Sequence, residues 1–377
     1  DIPKRVLVTG AEGFIGKNLC IRLGELPSYE VIQAVRDDSN DILKAKLSNA
    51  DALIHLAGEN RPKSLEGFET GNVKLTDTLC ELMLELDLQI PIIFSSSTQA
   101  IQENAYGRSK RSAEIRIESY SKSSGNTTAI YRLPGVFGKW CKPNYNSVVA
   151  TYCHNIANGL SIHIDDPNYI INLVYIDDVI DSFIEWLKDP SVSGTFFKTI
   201  DPVYSISLGG LAKQIQEFAK SRINLVSERV GNGFLRALYS TYVSYLPRDK
   251  FEYPVPSHGD ERGVFVEMLK TKDSGQFSFF TARPGITRGG HYHHTKTEKF
   301  LVIRGNARFR FRHILTDEVF SIDTAGKIPT IVETIPGWSH DITNTGDDEL
   351  IVMLWANEIF DHDKPDTIAR IIKNEKA

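Results

Sequence analysis

The run Thr9-Gly10-Ala11-Glu12-Gly13-Phe14-Ile15-Gly16 follows the apolar stretch Val6-Leu7-Val8 and opens a segment of helical period. Gly10 permits a tight turn, Gly13 lets the backbone approach a pyrophosphate, and Gly16 allows close helix–strand packing. The free amides of the helix amino terminus then face the phosphates. A glycine-rich turn alone is a weak signal. Between a strand and a helix it points to a dinucleotide site lined by Gly10, Gly13, Phe14, Ile15 and Gly16.

The surrounding pattern supports that reading. Val31 to Val35, Ala52 to Leu56, Ile92 to Phe94 and Ala129 to Tyr131 are short apolar runs separated by segments of helical period. They lack polar alternation, as strands covered on both faces should. The expected fold is an α/β Rossmann-type doubly wound parallel sheet. Further along, Asp177 is expected to cap a helix carrying Val179, Ile180, Phe183, Ile184 and Leu187, and Ser207 to precede another. A helix from Phe234 to Leu246 would carry Tyr239, Tyr242 and Tyr245 as a core or interface stripe. Pro247, Pro254 and Pro256 then interrupt the chain. Beyond them, Phe277 to Phe280, Phe300 to Ile303, Ala307 to His313 and Leu350 to Trp355 read as short strands between glycine turns. The expected boundary lies near Phe251, with residues 1–246 as the α/β domain and residues 252–377 as an all-β domain.

With 377 residues and a net charge of −5, the chain has core enough for two domains and no basic footprint for nucleic acid. No apolar stretch is long enough to span a bilayer. The four cysteines show no paired spacing and read as reduced thiols. With no recognisable signal peptide, a cytoplasmic protein is expected.

Arg36 ends the second apolar run, where an adenosine ribose should lie. A guanidinium there suits a 2′-phosphate and favours NADPH. Tyr106 and Lys110 stand one helical turn apart on one face. In the reductive direction Tyr106 would donate a proton to a carbonyl oxygen, with Lys110 favouring its phenolate. Ser97, at the end of a strand, would hydrogen-bond the same oxygen. These residues, with His55-Leu56-Ala57-Gly58, Arg132-Leu133-Pro134-Gly135-Val136-Phe137-Gly138 and Tyr175-Ile176-Asp177-Asp178-Val179, resemble the extended short-chain dehydrogenase/reductase family over residues 4 to 245. The resemblance implies a catalytic set of Ser97, Tyr106 and Lys110. It also implies that Leu56 and Ala57 lie against the cofactor, beside Tyr106 and Lys110. The interval from Ser97 to Tyr106 is shorter than in many extended members, which leaves Ser96, Ser97 and Thr98 as alternatives.

In the second half, His291 and His293 project to one face of a strand, Glu298 follows on the next, and His340 comes from a later hairpin. Three imidazoles and a carboxylate suit zinc, iron, manganese or nickel, with zinc the working expectation. The pattern is similar to both cupin motifs, so the all-β domain is expected to be a metal-binding cupin barrel. Ile335-Pro336-Gly337 departs from the second motif only in a turn. His294 is expected to lie outside the ligand set, and His313 to be a strand residue. Arg308, Arg310 and Arg312 share a strand face that would suit either diphosphate or solvent.

A reductase joined to a metal cupin resembles a group of bacterial capsular polysaccharide enzymes. The segments Lys139 to Ser147 and His291 to Lys296 carry that likeness. It implies a homodimer acting on a UDP-linked 4-keto-6-deoxy-hexosamine in the route to UDP-N-acetyl-L-fucosamine. The cupin would epimerise C3 of a UDP-2-acetamido-2,6-dideoxy-4-hexulose. The reductase would then use NADPH at C4 to give UDP-2-acetamido-2,6-dideoxy-β-L-talose. Two other readings stand beside it: a dehydratase or epimerase with a purely structural cupin, and a non-catalytic cofactor sensor.

Overall fold

A computed structural model describes residues 2–58, 64, 66–190 and 192–373. The chain forms two units, residues 1–215 with 236–247, and residues 216–235 with 248–377. The segment 216–235 therefore groups with the all-β part, although the sequence reading places it with the α/β part. No helix among the described residues is long and apolar enough to cross a membrane.

In the first unit, β1 (Lys4–Thr9), β2 (Tyr29–Ala34), β3 (Ala52–His55), β4 (Ile92–Ser97), β5 (Thr127–Leu133) and the strand Gly194–Lys198 form one parallel sheet, in the order β2-β1-β3-β4-β5 and then Gly194–Lys198. The Rossmann-type expectation is met. One face buries Leu7, Leu53, Ile92, Phe94 and Ile130 against Leu79, Met83, Ile117 and Tyr120. Val6, Val8, Ile54 and Ile93 are also buried, which explains why these runs lack polar alternation. The chain reverses direction across the sheet between β1 and β3. A crevice therefore opens at their carboxyl ends, where such folds hold ligands.

Asp177 does not cap its helix. The helix runs Ile176–Lys188 with Tyr175 at the cap position, so Asp177 sits inside the first turn, where its charge favours the positive end of the helix dipole. Ser207 does cap: its hydroxyl accepts from Gly210 N at 3.0 Å. Of the three tyrosines, Tyr242 is buried, and Tyr245 donates to the Cys141 carbonyl at 2.5 Å.

The second unit holds two sheets. The larger runs in order through Val226–Ser227, Gly263–Thr271, Gln276–Ala282, Leu350–Ala356, Glu298–Arg304 and Ile331–Thr334, with Ser257–Asp260 beside Gly263–Thr271. The smaller runs through Val319–Ala325, Asn306–His313, Trp338–Asn344, Thr287–Tyr292 and Ile368–Ala369. Phe280, Phe300, Val302, Phe309, Phe311, Ile342 and Val352 fill the space between them.

Candidate active sites

The first site lies at the mouth of the parallel sheet. Gly10 has φ +68°, and a Cβ there would stand 2.7 Å from Ala57 N. A Cβ at Gly16 would stand 2.1 Å from the Gly10 carbonyl oxygen, so only glycine lets helix α1 (Phe14–Gly24) approach the turn. This brings Leu56 and Ala57 against the glycine loop, at the carboxyl ends of β1 and β3. Thr9 Oγ1 fixes that junction by accepting from Leu56 N at 3.1 Å and Ala57 N at 3.2 Å.

Thr9 has then to spend its own proton on His55 Nδ1, 2.6 Å away. His55 Nε2 in turn donates to Thr76 Oγ1 at 2.9 Å, and Thr76 donates to the Asn72 carbonyl at 2.8 Å. Burial, followed by the charge of Lys110, pushes His55 down to about 3, so it stays neutral. Asn72 belongs to the π-helical turn Glu69–Lys74, and its side chain donates to Ser109 Oγ at 2.9 Å. Sequence reasoning missed this chain, whose members come from separate elements.

Tyr106 and Lys110 sit on the first turns of the helix Ala105–Ser124, which Asn104 caps by accepting from Gly107 N at 2.7 Å. Ser97 ends β4 beside the Tyr106 phenol. Burial raises that phenol above its ordinary value, and Ser97 opposes the rise. Lys110 is buried, its Nζ 3.2 Å from the Ser95 carbonyl and 5.9 Å from the centre of the Tyr106 ring. Desolvation lowers it to about 8, with Glu114 working the other way. Ser96 is committed elsewhere: it donates to Glu114 at 2.6 Å. Thr98 opens a short 3-10 turn. Of the three candidates, Ser97 is the one that acts on the Tyr106 phenol.

The second site straddles the two sheets of the all-β unit. Glu298 comes from the larger sheet, His291 and His340 from facing positions of the smaller, and His293 from just past a strand end. Their ligand atoms all lie within 4.8 Å of one another. Gly289 and Gly290, with φ +93° and +83°, make a bulge that puts His291 opposite His340.

Glu298 Oε2 stands 3.3 Å from His293 Nε2 and 3.2 Å from His340 Nε2. The buried His340 Nε2 nonetheless makes no well-formed hydrogen bond. A divalent cation would satisfy it, and three imidazoles with a carboxylate are a donor set that could hold one. Burial lowers His291 to about 4, with His340 adding to the effect. Glu298 is held well below the carboxylate range: burial raises its carboxyl, but the hydrogen bond with His293 and the close approach of His340 and Lys296 overcome it.

Residues 6–196 match the NAD dependent epimerase/dehydratase family, and residues 258–368 match the Polysaccharide biosynthesis C-terminal domain. The chain is 53% identical over 365 residues to the UDP-2-acetamido-2,6-beta-L-arabino-hexul-4-ose reductase of Pseudomonas aeruginosa, a match spanning 97% of this chain and 98% of that one. The chain belongs to the NAD dependent epimerase/dehydratase family.

Among solved structures, the capsular polysaccharide assembling protein CapF from Staphylococcus aureus matches with a TM-score of 0.90 and 39% identity, covering 97% of this chain and all of that one (100%). The resemblance to capsular polysaccharide enzymes thus extends across nearly the whole chain. MoeE5 in complex with UDP-glucose and NAD matches 64% of this chain and 98% of its own at a TM-score of 0.54 and 17% identity, a likeness of fold.

For this epimerase/dehydratase family member, Arg36 lies exposed two residues beyond β2, at the same end of the sheet as the glycine loop. The arginine row of the all-β unit is not a free cationic face. Arg308 pairs with Asp323 at 2.8 Å, Arg310 with Asp341 at 2.6 Å and Arg312 with Asp317 at 2.9 Å. His294 is exposed; its backbone donates to Asp366 and its ring packs edge-on against Tyr292. His313 Nδ1 accepts from Leu315 N and Thr316 N, a turn contact.

Proposed function

We propose that the chain reduces the C4 ketone of a UDP-2-acetamido-2,6-dideoxy-hexulose with NADPH, and that its all-β unit epimerises C3 of the same sugar beforehand. The product would be UDP-2-acetamido-2,6-dideoxy-β-L-talose, in a route to UDP-N-acetyl-L-fucosamine. One observation carries the reductase reading: Lys110 is buried with its Nζ 5.9 Å from the centre of the Tyr106 ring, and Ser97 acts on the Tyr106 phenol from the end of β4, the sheet end where the glycine loop opens. The identity of the Pseudomonas aeruginosa relative points to the substrate class.

A nicotinamide cofactor bound along Gly10, Gly13, Phe14, Ile15 and Gly16 supplies hydride. Arg36 is placed to meet a 2′-phosphate, and Leu56 and Ala57 wall the same crevice. Tyr106 gives its phenolic proton to the C4 oxygen as the ketone becomes an alcohol. Ser97 holds that oxygen in line, and the Lys110 ammonium offsets the negative charge left on Tyr106.

In the all-β unit, read as a cupin, His291, His293, Glu298 and His340 would hold a divalent ion, zinc first. The ion supplies a Lewis acid beside a carbonyl oxygen. The C3 proton is α to the C4 ketone, which makes it the acidic position of the sugar. We place residues 1–246 and 252–377 as the two catalytic regions of a cytoplasmic homodimer.

The test is a panel of UDP-linked 4-keto-6-deoxy-hexosamines in deuterated water with NADPH. The wild-type chain should consume NADPH and exchange the C3 hydrogen. Tyr106→Phe should lose NADPH oxidation and keep the exchange. Loss of both would refute the divided labour, and purified protein carrying stoichiometric NAD would favour a dehydratase or epimerase instead.

A further inference from the structure

Residues 366–370 pack along the strand and loop that carry His291 and His293, and one residue makes most of the polar contacts there. The Asp366 carboxylate accepts from His294 N at 2.9 Å, Thr295 N at 2.6 Å and Lys296 N at 2.9 Å, and from Thr295 Oγ1 at 3.1 Å. These are three consecutive backbone amides of the loop joining His293 to Glu298. The backbone carbonyl of the same residue accepts from His293 Nδ1. Those hydrogen bonds hold the carboxyl well below its usual range, against a desolvation that raises it.

Neighbouring contacts extend the strap. Ile368 and Ala369 pair with Tyr292 and His291, and Arg370 N donates to the Gly290 carbonyl at 2.8 Å. Ser339, beside His340, donates to the Arg370 carbonyl.

We infer that Asp366 is the positioning residue of the histidine site: its carboxylate clamps the 294–296 loop while its carbonyl fixes the tautomer of His293. With Nδ1–H spent on that carbonyl, His293 presents the Nε2 lone pair towards Glu298 and His340, the form a metal ligand requires. The clamp also fixes Lys296, whose Nζ stands 3.4 Å from Glu298 Oε1, on the oxygen the histidines do not use. Unclamped, the loop would be free to carry both His293 and the ammonium away from the cluster. The inference rests on the metal reading above and adds a residue that the motif spacing does not contain.

The experiment compares wild type, Asp366→Ala and Asp366→Asn as full-length chains. Zinc affinity is measured by chelator competition, the visible spectrum after cobalt substitution, and the melting temperature of the metal-free protein. Asp366→Ala should weaken zinc by about 10- to 100-fold, the range for losing an outer-shell partner of a metal ligand. Its cobalt spectrum should shift as His293 leaves the set. Asp366→Asn keeps one acceptor oxygen and should recover part of both losses. Wild-type zinc affinity and an unchanged cobalt spectrum in both variants, with only the metal-free melting temperature lowered, would reduce Asp366 to a structural residue and overturn the inference. A wild-type chain that takes up no zinc would instead overturn the metal reading on which it stands.

Discussion

Ser96 donates to Glu114 at 2.6 Å, while its neighbour Ser97 acts on the Tyr106 phenol. Adjacent residues of β4 thus serve opposite faces of the sheet end. Glu114 is fully buried and also receives Arg132 at 2.9 and 2.8 Å and Arg111 at 2.8 Å. Ser96→Ala removes one donor from a buried carboxylate and should cost about 1–3 kcal/mol of stability with kcat little changed. Ser97→Ala should instead lower kcat for NADPH oxidation by about 100-fold or more with stability little changed. Denaturant titration and steady-state rates on the two variants separate them; equal effects on rate would refute the assignment of Ser97.

Gly16→Ala should abolish tight cofactor binding. The added methyl would meet the Gly10 carbonyl oxygen at 2.1 Å and Ala11 Cα at 2.7 Å, and both are backbone with no rotamer to yield. The loop must open or the helix retreat, and either moves the amides that would meet the pyrophosphate. Calorimetric titration with NADPH should show at least about a 10-fold loss, and an unchanged affinity would mean that the phosphates bind elsewhere.

The five apolar strands and the glycine loop were legible because each rests on a short, contiguous pattern. Tyr106 with Lys110, and His291 with His293, were legible for the same reason, since helical and strand periods bring them together within a few residues. The strand Thr287–Tyr292, with the sequence TRGGHY, announces itself poorly: two consecutive glycines weaken any strand signal, and their use is to bulge the backbone opposite His340. His55, Thr76 and Asn72 lie on different elements, and only the spacing from 72 to 76 has a local period. Asp366 is 73 residues from His293 in sequence, and no local pattern links them. The capping role expected of Asp177 failed for a smaller reason: the helix begins one residue before it, at Ile176.

Arg36→Ser should shift cofactor preference. Arg36 is exposed just past β2, so its loss should cost little stability while removing the cation placed for a 2′-phosphate. KM for NADPH should rise by about 10-fold or more with the value for NADH little affected. Equal changes for both cofactors would assign Arg36 to the surface alone.

His340→Ala should lower bound zinc below one ion per chain and cut the stabilisation that added zinc confers. Its Nε2 is buried without a well-formed hydrogen bond, so in the absence of metal the imidazole contributes packing against Phe300 and Phe311 and a 3.2 Å contact with Glu298. Metal analysis of the purified variant and melting with and without chelator provide the check. Zinc content equal to wild type would remove His340 from the site.

Lys110 should cost the protein stability for the sake of its charge, and pH should expose that cost. Folded Lys110 loses its proton near pH 8, against 10.5 for the ordinary side chain, because burial disfavours the ammonium. Between those values the unfolded chain holds the extra proton, so this residue makes stability rise with pH across the window, and its full penalty stands below pH 8. Lys110→Met keeps the length and removes the charge. It should be more stable than wild type at pH 7 by at most about 3 kcal/mol, and the advantage should shrink as pH rises from 8 towards 10.5. Groups that titrate alike in both proteins cancel in the difference, so urea denaturation on either side of the window isolates the lysine. An advantage that stays constant with pH would trace to packing, and no advantage at all would mean that the ammonium is solvated where it stands. The variant should at the same time lose NADPH oxidation, since the charge that destabilises the fold is the one that offsets a Tyr106 phenolate.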